Sequence, residues 1–140
     1  MNDIKGRLLG VDHGTRRVGV AVSDGLQMTA RARGFLDGSD PVGVVDAVAA
    51  MAMAEEVVAV VVGLPLNMNG SEGPKAQQAQ AFASALRAKL SVPVHLWDER
   101  LTTRQADRYM IAADLSRKKR RRRIDGLAAQ ILLQSYLDAH

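Results

Sequence analysis

Residues 7–24 read RLLGVDHGTRRVGVAVSD, and this stretch decides the architecture. Arg7–Asp12 (RLLGVD) is a short apolar run ending on an acid, the pattern of a buried strand. Gly14-Thr15 supplies a turn, and Val18–Ser23 (VGVAVS) is a second apolar run close enough to form a hairpin with the first. Thr29–Leu36, which carries Arg31 and Arg33, reads as a third strand. The chain therefore opens with an antiparallel meander.

Further along, the period changes. Asp40-Pro41 opens a helix, with Asp40 as N-cap and Pro41 in the first turn. Val44, Val45, Val48, Met51 and Ala52 then recur at helical spacing. Val57–Val62 is five valines and one alanine, a β-branched run that predicts a central parallel strand. Leu64–Pro74 (LPLNMNGSEGP) has the Asn, Gly and Pro of a loop. Lys75–Leu90 is helical, and Pro93–Trp97 is a short strand ending at Asp98-Glu99. Thr102 and Gln105 have capping-box spacing, which predicts a helix from there to about Ala113. A last helix, Ile124–Leu137, places Ile124, Leu127, Ala128, Ile131 and Leu132 on one face. The order β-β-β-α-β-α-β-α-α defines an α/β fold, a mixed sheet with helices packed on its faces.

Composition narrows the function. The 140 residues fit one domain spanning 1–140, and 47% apolar with 24% charged residues is ordinary globular usage. With no cysteine there is no disulfide framework, no zinc–thiolate site and no thiol nucleophile, a usage that suits the reducing cytoplasm. The N-terminus has no apolar stretch of signal-peptide length, and with no apolar run of about 18 residues no membrane span is expected. No GxxxxGK[ST] phosphate loop occurs. The net charge of +4 is concentrated in Arg117–Arg123 (RKKRRRR); the remainder has 12 Lys+Arg against 15 Asp+Glu, net −3. One basic block on a mildly acidic body predicts an anionic partner that meets the surface in one place.

Carboxylates stand at three element ends. Asp12 closes the first strand, Asp98-Glu99 the last, and Asp125 lies in the first turn of the last helix. The first and last strands both belong to the parallel part of the sheet, so their C-terminal ends open on one edge. Ala128 and Ala129 would let the last helix approach closely. Each acid also has a plainer reading: a turn acid at Asp12, a solvated strand end at Asp98 and Glu99, a helix N-terminal acid at Asp125. Strand alternation sends Asp98 and Glu99 to opposite sides, and spacing does not choose between them. Three such acids brought together require a counter-charge, and oxygen ligands suit one or two Mg²⁺ or Mn²⁺ ions. That chemistry fits phosphodiester hydrolysis without a protein nucleophile.

Four segments carry a resemblance: GVDHGTRRVGVAVSD (Gly10–Asp24), GLPLNMNGSEGP (Gly63–Pro74), DERLTTRQA (Asp98–Ala106) and RIDGLAAQILLQSYLD (Arg123–Asp138). In order and length they resemble the YqgF/RuvX-like family of pre-16S rRNA nucleases, formerly described as Holliday junction resolvases. The resemblance implies a ribonuclease H-like fold with a five-stranded mixed sheet and helices on both faces. It implies a divalent-metal nuclease site in which the family's acids fall on Asp12, Glu99 and Asp125, and a cytoplasmic role in maturing the 5′ end of the small-subunit rRNA precursor. His13 departs from the family, which often has an apolar or aromatic residue there.

Other residues are read around this centre. Arg17 and Arg100 are candidate phosphate clamps, or salt-bridge partners of Asp24 and Asp98. Asn67 and Asn69 either hold substrate backbone or serve their own turn. Lys118, Lys119, Arg120, Arg121, Arg122 and Arg123 would neutralise phosphates and make binding salt-dependent. The single Trp97 reads as packing, because 4% aromatic residues give little support to base stacking. The expected partner is structured RNA, with branched DNA as the rival substrate, and the chain acts as monomer or homodimer. The alternatives are a structure-selective DNA resolvase with the same acids and, from another class, a non-catalytic RNA-binding ribosome assembly factor.

Overall fold

The computed structural model describes residues 5–102 and 126–140. Five strands form one sheet: β1 (Leu8–Asp12), β2 (Arg17–Ser23), β3 (Ala30–Asp37), β4 (Ala59–Leu64) and β5 (Val94–Asp98). Helix α1 (Pro41–Ala54) precedes β4, α2 (Pro74–Lys89) precedes β5, a 3₁₀ turn spans Glu99–Leu101, and α3 (Leu127–Ala139) ends the chain. The strand order is β3-β2-β1-β4-β5. β1–β2 and β2–β3 are antiparallel, whereas β1–β4 and β4–β5 are parallel. The predicted meander followed by parallel strands is the sheet observed. Val57 and Val58 precede β4 rather than forming part of it, and the strand continues to Leu64. The helix expected from Thr102 to about Ala113 lies outside the described residues.

Alternation divides the sheet into two unlike faces. Leu9, Val11, Val18, Val20, Val22, Val60 and Val62 join Val44, Val48, Phe82 and Leu86 of α1 and α2 in one buried cluster. On the opposite face Leu8, Ala21, Ala59 and Val61 meet Ala129, Leu133 and Leu137 of α3. Helices thus cover both faces. Asp40 caps α1 as its sequence position predicts, its Oδ1 accepting from the Val42 N–H at 3.2 Å.

The face of α3 corrects one expectation. Ala128 is exposed; Ala129 packs on the sheet, with Leu133 and Leu137 one and two turns later. The reason lies in the strands. A methyl group added to Gly10 would sit 2.8 Å from the Leu133 Cβ and 3.3 Å from the Ala129 carbonyl oxygen. Glycine in β1 therefore lets this helix come closer than any side chain would allow, and the helix turns its smallest residue to that contact. Gln130 and Gln134 then reach the edge strand, where their Oε1 atoms accept from the Ala32 and Ala30 N–H groups.

Candidate active site

The parallel strands bring their C-terminal ends to one edge. Val11 of β1 is level with Val62 of β4, and Gly63 of β4 is level with Trp97 of β5. Asp12, Gly63 and Trp97 follow on the face that carries α3. Beyond β5 the chain tightens into the 3₁₀ turn, closed by Thr102, whose Oγ1 donates to the Glu99 carbonyl at 2.7 Å.

Glu99 crosses β4 from this turn. A Cβ built on Gly63 would collide with the Glu99 carboxyl, its Cγ and Cδ both at 3.0 Å. The bare backbone of Gly63 is the bed on which the Glu99 side chain lies, and from there it hydrogen-bonds the Asp12 carboxylate. The result is two carboxyl groups sharing a position. Burial pushes the Glu99 pKa up to about 8; the hydrogen bond to Asp12 and the charges of Asp12 and Asp98 act in the same direction, and Lys75 opposes them. Two close carboxylates resist ionising together unless a cation separates them.

Asp98, by contrast, is turned aside. Its Oδ1 accepts from the Arg100 N–H at 2.9 Å, and its Oδ2 accepts from Arg100 Nη2 at 2.7 Å. Hydrogen bonding to the Arg100 side chain holds its carboxyl below the usual range. Of the adjacent acids, Glu99 is the one brought to Asp12. Asp125 lies outside the described residues, and among the described residues no group of three His, Cys, Asp or Glu side chains gathers. Its neighbour Gly126 is described. A methyl on Gly19 would be 3.7 Å from both the Asp12 Cβ and the Gly126 Cα. Gly126 has φ +79°, and a Cβ there would meet the Gly34 N at 2.8 Å. Only glycine suits that start of α3.

The remaining candidates separate. Arg17 has its guanidinium 5.3 Å from the Phe35 ring centroid, and Asp24, at the far end of β2, accepts instead from the Met28 and Thr29 N–H groups. The alternative Arg17–Asp24 salt bridge is thereby excluded. Arg100 pairs with Asp98 and donates to the Met68 carbonyl at 3.3 Å. Asn67 and Asn69 serve their own loop: Asn67 Nδ2 donates to Ser71 Oγ at 3.0 Å, and Asn69 Oδ1 accepts from the Ser71 N–H at 3.0 Å. Trp97 packs edge-on against Tyr136 and donates to Ser135 Oγ at 3.1 Å. Lys118–Arg123 lie outside the described residues.

A pocket of about 330 Å³ opens around the acids, lined by Asp12, His13, Thr15, Lys75, Gln78 and Glu99 among others. Lys75 was not singled out from the sequence, although a signal existed. It follows Pro74 in the first turn of α2, where the helix dipole disfavours a cation. A lysine at such an end, beside two acids, is placed for charge rather than for the helix. His13 turns to the other face and lies against Phe82, ring centroids 4.6 Å apart; burial lowers its pKa, partly offset by Asp12.

A five-stranded mixed sheet flanked by helices, with paired acids where β1 and β5 end, defines a ribonuclease H-like protein. The family model described as RuvX, Holliday junction resolvase, matches residues 6–139, and the chain belongs to that family. Two curated relatives bear the name "Putative pre-16S rRNA nuclease". The protein of Myxococcus xanthus is 49% identical over 96% of this chain and 89% of its own length; that of Geobacillus kaustophilus is 49% identical over 95% and 98%. Among solved structures, Thermus thermophilus RuvC in complex with a Holliday junction substrate has the same fold. Its TM-score is 0.66 at 17% identity, covering 96% of this chain and 94% of that one. Among the described residues no helix is long and apolar enough to cross a membrane.

Proposed function

We propose that this chain is a divalent-metal-dependent nuclease, a single domain of residues 1–140, that cleaves the precursor of 16S rRNA near its 5′ end in the cytoplasm. The observation that carries the reading is the apposition of Glu99 and Asp12 across the bare backbone of Gly63. An all-oxygen donor pair, with Glu99 held above the usual carboxylate range, fits a hard cation, Mg²⁺ or Mn²⁺. Asp125 is the third ligand in this proposal, supported by the place of Gly126 beside Asp12. When bound, such a cation activates water and offsets the charge that builds on the phosphate.

The chain's own residues do the rest. Asp12 and Glu99 would hold the cation that offsets the charge of the reacting phosphate and orients it. Lys75, on the rim of the same pocket, supplies a positive charge to a non-bridging oxygen. Arg17 and Arg100 are proposed phosphate contacts and Asn67 and Asn69 proposed backbone contacts, each on exchanging its present intrachain partner, and Lys118–Arg123 would bind phosphates farther along the strand, making affinity fall steeply with salt. Neutralising the basic block is expected to weaken binding far more than it alters cleavage position.

Branched DNA is the second substrate reading, favoured by the description of the family model as a Holliday junction resolvase. The test is a cleavage assay on matched RNA-precursor and four-way DNA substrates with Mg²⁺ or Mn²⁺, comparing the native chain with Asp12→Asn. Cleavage of the RNA by the native chain alone supports rRNA processing. Symmetric cutting of the junction supports the resolvase. Equal cleavage by both proteins removes the catalytic role of Asp12.

A further inference from the structure

Beside the acidic pocket lies a second cavity of about 380 Å³, between the β1–β2 turn, α1 and α2. Its wall is apolar: Val45 from α1, and Ala81, Phe82 and Ala85 from α2. His13 stands at the junction, its ring tilted 33° against Phe82. Three residues, His13, Thr15 and Gln78, line both this cavity and the acidic pocket. The two spaces are therefore neighbours, one charged and one greasy, with hydrogen-bonding groups between them.

This layout has a specific chemical meaning. A nucleotide has the same division: a charged phosphate at one end and a flat, mostly apolar ring with polar edges at the other. A cavity of this size is at the small end of the roughly 300–1,000 Å³ of small-molecule sites. The half-buried His13 ring, tilted against Phe82, presents an aromatic surface of the kind that unpaired bases stack on. Gln78 and Thr15 bring donors and acceptors to the cavity's mouth. The cavity does not depend on Glu99, which lines only the acidic pocket.

We propose that the cavity behind His13 receives the base of a nucleotide adjacent to the cleaved phosphate, making His13, Phe82 and Gln78 determinants of where the chain cuts. The inference rests on the nuclease reading for the meaning of the adjoining acidic pocket. Base insertion requires that nucleotide to be unpaired or turned out of its stack, so the preferred substrate is single-stranded or frayed at the cut. Selectivity then comes from one base and from backbone contacts, not from a long sequence.

Two experiments test it on the full chain. The first needs no cleavage. Chemical-shift perturbation by NMR is followed while adenosine, cytidine, guanosine and uridine 5′-monophosphates, and separately ribose 5-phosphate, are added. At least one of the four nucleotides is expected to shift the His13 ring, Ala81 and Ala85 signals, whereas ribose 5-phosphate leaves them in place. Ala81→Phe, which fills the cavity from an exposed helix position, abolishes the His13 and Ala85 shifts; Ala85→Leu, read at His13 and Ala81, serves if the first variant does not fold. Shifts that are the same with ribose 5-phosphate, that survive filling, or that are absent with all four nucleotides overturn the proposal.

The second uses oligonucleotides in which each nucleotide flanking the cut is replaced in turn by an abasic residue. One such replacement is expected to slow cleavage about tenfold in the native chain, the scale of losing one stacked base. The same replacement changes little in Ala81→Phe. An equal loss in both proteins contradicts base insertion. If no substrate is cut by the native chain, the nuclease reading fails, and the mononucleotide titration still decides the cavity by itself.

Discussion

The two faces of the sheet are built from different materials. Under α1 and α2 the strands present Leu9, Val11, Val18, Val20, Val60 and Val62, all fully buried. Under α3 the strands present Leu8 and Val61 among small residues, Gly10, Gly19, Ala21 and Ala59, and the helix answers with Ala129, Leu133 and Leu137. The first face removes large apolar side chains from water and supplies most of the hydrophobic stabilisation. The second gives up side chains to gain proximity: α3 is let down onto Gly10, and Glu99 is let across Gly63 to Asp12. The larger valine and leucine core and the paired acids thereby lie on opposite faces, with Lys75 of α2 reaching the acids at the sheet edge, and substitutions in the core and at the acids should fail in different ways.

The largest effect should come from the acids. Asp12→Asn and Glu99→Gln each remove an oxygen ligand from the proposed cation site, and cleavage is expected to fall by roughly a thousandfold, the scale of losing several kcal/mol of transition-state charge stabilisation. Melting temperature should hold or rise, since relief of a buried, repelling acid pair favours the fold. Steady-state cleavage with thermal denaturation in parallel separates the two. Next, Leu86→Ala on the α2 side should lower stability by about 2–5 kcal/mol, as for other large-to-small changes in a core. Chemical denaturation measures this, and cleavage per folded molecule should stay near the native value.

Gly63→Ala sharpens the contrast further. The methyl group takes the place of the Glu99 carboxyl, which is the end of a flexible side chain and can move away. Cleavage should fall by up to about a hundredfold, as for a misplacement of about 1 Å at a reacting centre, with only a small change in denaturation midpoint. A large loss of stability with normal cleavage per folded molecule would show that Gly63 serves packing instead. Smallest of all, Asp98→Asn should change cleavage by less than about threefold, because Asp98 is engaged by Arg100 and turned away from Asp12. A loss matching that of Glu99→Gln would reverse the roles of the two neighbours.

The same contrast explains what could be read from the sequence. Valine-rich strands announce themselves because burial on one face requires β-branched side chains, so β1, β2 and β4 were legible within a residue or two. Asp12 and the Asp98-Glu99 pair drew notice because they stand at strand ends, and Asp125 because it opens a helix; only the family resemblance chose Glu99 over Asp98. The small-residue face was harder. Periodicity put Ala128 on the packed stripe of α3, but the register of that helix is set by Gly10 and Gly19, which belong to strands more than a hundred residues earlier. Gly63 reads only as the end of a valine run until the path of Glu99 is known. Lys75 was hidden within a helix pattern, and the cavity behind His13 exists only where α1, α2 and the β1–β2 turn meet. Asn67 and Asn69 show the opposite case, residues whose polar side chains are used by their own loop.

The central claim is that Asp12 and Glu99, completed by Asp125, hold one cation site at the edge of the sheet. Electron paramagnetic resonance titration with Mn²⁺ tests it most directly, comparing the native chain with Asp12→Asn, Glu99→Gln and Asp125→Asn. Saturable binding by the native chain, weakened at least about tenfold by each substitution, is the expected result. Native-like Mn²⁺ affinity in all three variants would contradict it.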